Sequence, residues 1–179
     1  MTSLDKRANS AVTIKLMIMR HGDAEPELAQ HRGISMDEQR PLSAQGRHEV
    51  ETTANWLLEE LQQRGQSQLA WLLVSPYVRA QQTADIMASH IPFRQCETTR
   101  DIIPQASPDL FIDWLLVQLE QQNLNEGTVL MVSHMPFVSH LVAALDARTP
   151  PLIFPTAGIA EIELDLVNQQ AHFLRMIVT

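Results

Sequence analysis

Cysteine is almost missing from this chain: 179 residues hold one, Cys96. A single thiol excludes an internal disulfide and any Cys-rich metal site, and Cys96 is expected as a small core or boundary residue. Basic residues are also scarce, 13 Lys and Arg against 21 Asp and Glu, for a net charge of -8. That balance excludes a nucleic-acid binder, which needs surplus cations against phosphate backbones. No apolar run reaches the ~18 residues that span a bilayer, and the polar start MTSLDKRANSAVT lacks the apolar segment of a signal peptide. A cytoplasmic protein with no membrane partner is expected, with residues 1–13 as a flexible tail. Internal repeats, low-complexity blocks and Gly/Ser linkers are lacking too, so residues 14–179 are expected to form a single domain. With 45% hydrophobic and 19% charged residues, the composition is that of an ordinary globular protein.

Against these absences stands a regular alternation of short apolar runs and amphipathic segments. Ile14 to Met19 (IKLMIM) predicts a buried strand ending at Arg20. Residues 23–41 predict a long loop, and a long loop in a compact domain usually has a task. Ser43 opens a helix with Val50, Ala54, Leu57, Leu58 and Leu61 at helical spacing, closed by Arg64-Gly65. Leu69 to Val74 predicts a second strand, Val78 to His90 a second helix, and Ser107-Pro108 the capped start of a helix to about Gln122. Thr128 to Val132 predicts a third strand, with a helix from near Pro136. Gly158 to Leu166 and His172 to Val178 alternate like paired strands, with a turn at Asn168-Gln169. Trp56, Trp71 and Trp114 are expected in the core. The fold class expected is α/β, a three-layer α/β/α arrangement with a mostly parallel central sheet and a terminal antiparallel hairpin.

In parallel sheets ligands bind beyond the carboxyl ends of the strands. The three predicted strands end in Arg20-His21-Gly22, Ser75-Pro76 and Ser133-His134-Met135-Pro136. Arg20, His21 and His134 would then converge with Arg79, one turn into the second helix, where the helix dipole disfavours a cation unless an anion is nearby. Arginine offers a planar fork that matches phosphate oxygens, and helix starts add backbone N–H donors. A neutral imidazole is a competent nucleophile toward phosphorus. Of the two histidines, His21 is tied to the strand end beside Gly22, where a missing side chain admits a phosphate closely. His134, taken as charged, suits oxygen binding. His31, His48, His90, His140 and His172 are expected at the surface or its boundary. There is no HExxH or CxxC, so neither a metal nor another cofactor is expected.

The segments LMIMRHGDAE (16–25), SPYVRAQQTADIM (75–87) and VLMVSHMPFV (129–138) resemble the histidine phosphatase superfamily, with its phosphoglycerate mutase-like fold. The resemblance implies that His21 is the phosphorylated nucleophile and that Arg20, Arg79 and His134 bind the phosphate. Within the superfamily the chain is similar to the SixA-type phosphohistidine phosphatases, in its small size, in Arg40-Pro41-Leu42-Ser43 before Gly46, in SHMPFVSHLVAAL and in TAGIAEIEL.

The expected activity is a metal-independent phosphatase acting through phospho-His21, with a phosphoprotein substrate such as a histidine-containing phosphotransfer domain and a monomeric state. A small phosphomonoester is the alternative substrate within the superfamily, and a non-catalytic phosphate-recognition module is the alternative of a different class. Asp101 is the positional candidate for a general acid, with Asp23 and Asp109 behind it; a departing imidazole makes less demand on an acid than an alkoxide does. Gly22 and Arg40 are expected as phosphate or substrate contacts.

Overall fold

The computed structural model describes residues 13–26 and 37–179. Most of the tail expected over 1–13, the middle of the loop expected over 23–41, and His31 lie outside the described residues. In chain order the ten elements are β1 Thr13–Arg20, α1 Ala44–Gln63, β2 Trp71–Val74, α2 Val78–His90, β3 Cys96–Thr98, α3 Pro108–Gln121, β4 Gly127–Ser133, α4 Phe137–Leu145, β5 Ile159–Asp165 and β6 Gln170–Ile177. Single 3-10 turns occupy Asp37–Gln39 and Arg100–Ile102.

The strands form one six-stranded sheet in the order β3-β2-β4-β1-β5-β6. Pairing is parallel from β3 to β1 and antiparallel across β5 and β6. Strand alternation sorts the side chains into two cores. Leu16, Ile18, Leu73 and Met131 point to one face, under Phe111, Leu115 and Leu119 of α3 and Phe137, Val138 and Leu141 of α4. Met17, Met19, Leu72 and Val132 point to the other, under Val50, Ala54, Leu57 and Leu61 of α1 and Ala80, Ala84 and Met87 of α2. Both faces are therefore covered, which is why the central strands read as unbroken apolar runs. The three-layer expectation holds.

Local chemistry sets the element ends. The Ser43 hydroxyl accepts from the Gly46 N–H at 3.0 Å and so caps α1. Gly65, at φ +70°, takes the left-handed position that ends the helix. Ser107 precedes Pro108 at the start of α3 but makes no side-chain cap bond, so proline's fixed φ alone marks that start. At the β5–β6 turn the Asp165 carboxylate accepts from the N–H groups of Val167 and Asn168.

The structure corrects several expectations. β3 is an additional short edge strand, and Cys96 on it is exposed rather than in or beside the core. The second strand starts at Trp71, and Leu69 makes only an isolated bridge to Phe93. Trp71 is buried, whereas Trp56 and Trp114 are half-buried. Trp56 lies under the Arg175 guanidinium, 5.5 Å from the ring centre, and Trp114 tilts against Trp71 and Phe111 at 5.7 Å each. Among the described residues no helix is long and apolar enough to cross a membrane.

Strand register brings the candidate residues together. Arg20 pairs with Ser133 and Val74 with Val132, so β1, β2 and β4 end level within one residue. His21, Ser75 and His134 therefore leave the sheet side by side.

Candidate active site

His21 is anchored by its backbone. Its N–H donates to the Ser133 carbonyl at 3.0 Å, and its own carbonyl accepts from Ala157 at 3.1 Å. The ring is then oriented at one end by Nδ1, 2.6 Å from the Gly22 carbonyl. A carbonyl only accepts, so Nδ1 carries the proton and Nε2 keeps its lone pair. Arg79 Nε donates to that Nε2 at 3.0 Å, which requires the same tautomer. Burial, joined by the positive charges of Arg79, Arg20 and Arg40, pushes the His21 pKa down to about 4 against the opposing pull of the Gly22 carbonyl. His21 is thus a neutral imidazole, held with its Nε2 lone pair facing Arg79.

Arg79 is 4% exposed, and each of its three nitrogens donates one hydrogen bond. Nη1 donates to the Asp37 carbonyl at 2.5 Å and Nη2 to Asp37 Oδ2 at 2.9 Å, while the guanidinium sits 5.0 Å over the Tyr77 ring. Arg20 donates through Nη1 to the Phe154 carbonyl at 2.7 Å. Its Nε is buried without a hydrogen-bond partner.

The His134 ring lies 5.0 Å from that of His21 and 4.8 Å from Tyr77. Its Nε2 meets the Ser75 hydroxyl at 2.7 Å, and its Nδ1 is buried with no partner. Burial, then His21 and the charges of Arg79 and Arg20, push its pKa down to about 2. The sequence predicts a cation at His134. In the fold it is neutral, because two guanidiniums and a second imidazole share its dry surroundings.

The remaining candidates are spread more widely. Arg40 donates to Asp37 Oδ1 at 3.0 Å and to the Glu25 carbonyl at 2.7 Å, so it reaches Arg79 through a shared carboxylate. Gly22 serves a different approach from the one expected. A Cβ there would lie 2.6 Å from the Gly46 carbonyl oxygen and 2.7 Å from Val50, so its bareness admits α1 to the strand end. Its N–H donates to Thr83 Oγ1, which in turn donates to the Arg79 carbonyl.

None of the three acid candidates hydrogen-bonds to an imidazole. Asp101 is exposed and accepts from the Thr99 hydroxyl at 2.7 Å, Asp23 accepts from Ser43 at 2.6 Å, and Asp109 is exposed in the first turn of α3. Asp37 is the residue that sequence reasoning missed. Its signal was slight, an acid three residues before Arg40 within a polar loop. Among the described residues no group of three or more His, Cys, Asp and Glu is arranged to hold a metal ion.

One buried guanidinium, one half-buried guanidinium, a lone-pair imidazole nitrogen and two unpartnered buried nitrogens form a site suited to an anion. Residues 16–103 match the family model of the histidine phosphatase superfamily (branch 1). The chain is 34% identical over 155 residues to the phosphohistidine phosphatase SixA of Escherichia coli K12, covering 85% of this chain and 86% of that one. It is 32% identical to a phosphohistidine phosphatase SixA homolog of Haemophilus influenzae, covering 85% and 89%. The solved structure of the protein histidine phosphatase SixA complexed with tungstate superposes with a TM-score of 0.76 at 29% identity, over 92% of this chain and 96% of that one. The sequence matches and the superposition together make this chain a member of the histidine phosphatase superfamily.

Proposed function

We propose that the protein is a phosphohistidine phosphatase: it takes a phosphoryl group from a histidine displayed on another protein and passes it to water through phospho-His21. The observation that carries this reading is the His21 tautomer, with Nδ1–H held by Gly22 and the Nε2 lone pair beside Arg79. The two SixA relatives, both called phosphohistidine phosphatases, support the substrate class.

In the first step the Nε2 lone pair attacks phosphorus, the bond to the substrate nitrogen breaks, and its electron pair leaves with the substrate ring. Negative charge is then spread over three equatorial oxygens, and fixed cations stabilise it without reorganising. Arg79 and Arg20 supply those charges. His134 acts as a neutral hydrogen-bonding partner through its free Nδ1. In the second step water attacks phosphorus, the P–Nε2 bond breaks, and His21 recovers its lone pair while Nδ1 keeps its proton. Inorganic phosphate leaves with both water protons.

A histidine leaving group fits the absence of a carboxylic acid bonded to either imidazole among the described residues. The partner proposed is a histidine-containing phosphotransfer domain. The test is to mix the protein with such a domain carrying radiolabelled phosphohistidine. Acid-labile, base-stable label should pass to the wild type and not to His21→Ala. Rapid turnover of sugar phosphates with none of the phosphorylated domain would overturn the proposal.

A further inference from the structure

Asp37 is the one carboxylate among the described residues that hydrogen-bonds to the pocket arginines. Its Oδ2 accepts from Arg79 and its Oδ1 from Arg40, so each oxygen keeps a further lone pair. Burial pulls its pKa up, but the bonds and charges of Arg79 and Arg40 outweigh that and hold it low, so the group is ionised. Its side chain is 29% exposed, while that of Arg79 is 5% exposed. Arg79 spans from His21 Nε2, through its Nε, to Asp37, through its Nη atoms. The carboxylate therefore lies one guanidinium outward from the nucleophile, on the solvent side. An in-line displacement puts the leaving nitrogen on that same side of phosphorus, away from His21.

A carboxylate is the wrong group to place beside a developing phenolate or alkoxide, since like charges repel. It is the right group to place beside an imidazolium. We infer that Asp37 is a specificity-determining residue: it accepts a hydrogen bond from the far ring N–H of the substrate's phosphohistidine and holds that ring in its protonated form as the P–N bond breaks. The inference rests on the phosphohistidine reading of the site. The step balances without a proton from the enzyme. The substrate ring enters as a cation, phosphorylated on one nitrogen and protonated on the other. His21 Nε2 forms its bond to phosphorus, the old P–N pair returns to the departing ring, and that ring leaves as neutral imidazole. On the other side of phosphorus, His21 has the same arrangement, with its far Nδ1–H held by the Gly22 carbonyl at 2.6 Å. Each imidazole thus meets an acceptor at its far nitrogen, a carbonyl for the enzyme's ring and a carboxylate for the substrate's.

The experiment compares kcat/KM for phosphoimidazole and for p-nitrophenyl phosphate in the wild type and in Asp37→Asn. Loss of one charged hydrogen bond should lower the ratio of the two constants by about tenfold. If both constants fall together and the ratio holds, Asp37 only positions Arg79 and the inference is overturned. If both rise together, Asp37 only obstructs the pocket, and the inference is again overturned. A second measurement needs no variant. The 3-methyl derivative of phosphoimidazole keeps the ring charge but has no N–H to give. Scaled to its own uncatalysed hydrolysis, it should turn over about tenfold more slowly than phosphoimidazole on the wild type. Equal scaled rates would overturn the inference while leaving the phosphatase reading intact. A wild type inert toward phosphoimidazole, yet active on other phosphates, would remove both.

Discussion

Arg79 Nε donates a hydrogen bond to Nε2 of His21 at 3.0 Å, so one guanidinium touches the atom proposed to attack phosphorus before any substrate arrives. Its Nη atoms are bound to Asp37 and are the ones a phosphoryl group must recruit. Lysine offers a single point charge and cannot serve both ends. Arg79→Lys should lower kcat/KM by about 10²–10³-fold, the usual cost of losing a preorganised donor to transition-state charge. Steady-state assays with p-nitrophenyl phosphate check this; a change below about threefold would remove Arg79 from the site's chemistry.

The tautomer is directly observable. Long-range proton–nitrogen NMR spectra at pH 6 should show His21 protonated on Nδ1 alone, because its pKa is pushed down to about 4. A nucleophile that loses its proton so early keeps its lone pair throughout the neutral range. An imidazolium signal for His21 at pH 6 would contradict the geometry.

The same burial links stability to pH. His21 and His134 both have folded pKa values well below the usual 6.5, about 4 and about 2. Below pH 6.5 the unfolded chain binds protons that the folded chain refuses. The stability these groups contribute is complete above 6.5 and is lost as pH falls, toward about 4 for His21 and about 2 for His134. Each adds up to about 1.4 kcal/mol per pH unit to the slope. Denaturant titrations between pH 7 and 5 should show a shallower slope in His134→Asn than in the wild type. Equal slopes would mean that His134 titrates normally.

Helix α1 meets the nucleophile strand glycine to glycine. A Cβ at Gly46 would fall 2.0 Å from the Asp23 carbonyl oxygen, and one at Gly22 would fall 2.6 Å from the Gly46 carbonyl oxygen. Both obstacles are backbone, so Gly46→Ala and Gly22→Ala should each cost about 1–3 kcal/mol, as overpacking does. Thermal melts check the stability, and activity should fall too, since the same contact holds Asp23 and the strand end. A stable, fully active Gly46→Ala would refute this account of the junction.

Long elements with strong periodicity were legible in the sequence, and α2 is found over Val78–His90 as expected. So was the convergence of strand ends, because β1, β2 and β4 are apolar runs each stopped by polar residues. Two kinds of information were not. Short elements such as β3 and the two 3-10 turns are three residues each, too few for a period to register. Protonation was also hidden: His134 looks like a cation beside phosphate until its burial and its neighbours are counted. Asp37 escaped for a third reason. It belongs to a loop, and only the folded chain brings it 42 positions forward to Arg79.

The two sides of the pocket hang on different parts of the architecture. β1, which carries His21 at its end, is paired on both edges, with β4 and with β5. Asp37 and its partner Arg40 belong to a single 3-10 turn and its flank, outside the sheet. Amide hydrogens of the middle of β1 should exchange only with global unfolding, while those around Asp37 should exchange through small local openings. His21 would thus follow directly on the slowest-opening strand of the sheet, while Asp37 would face solvent from a turn that opens readily.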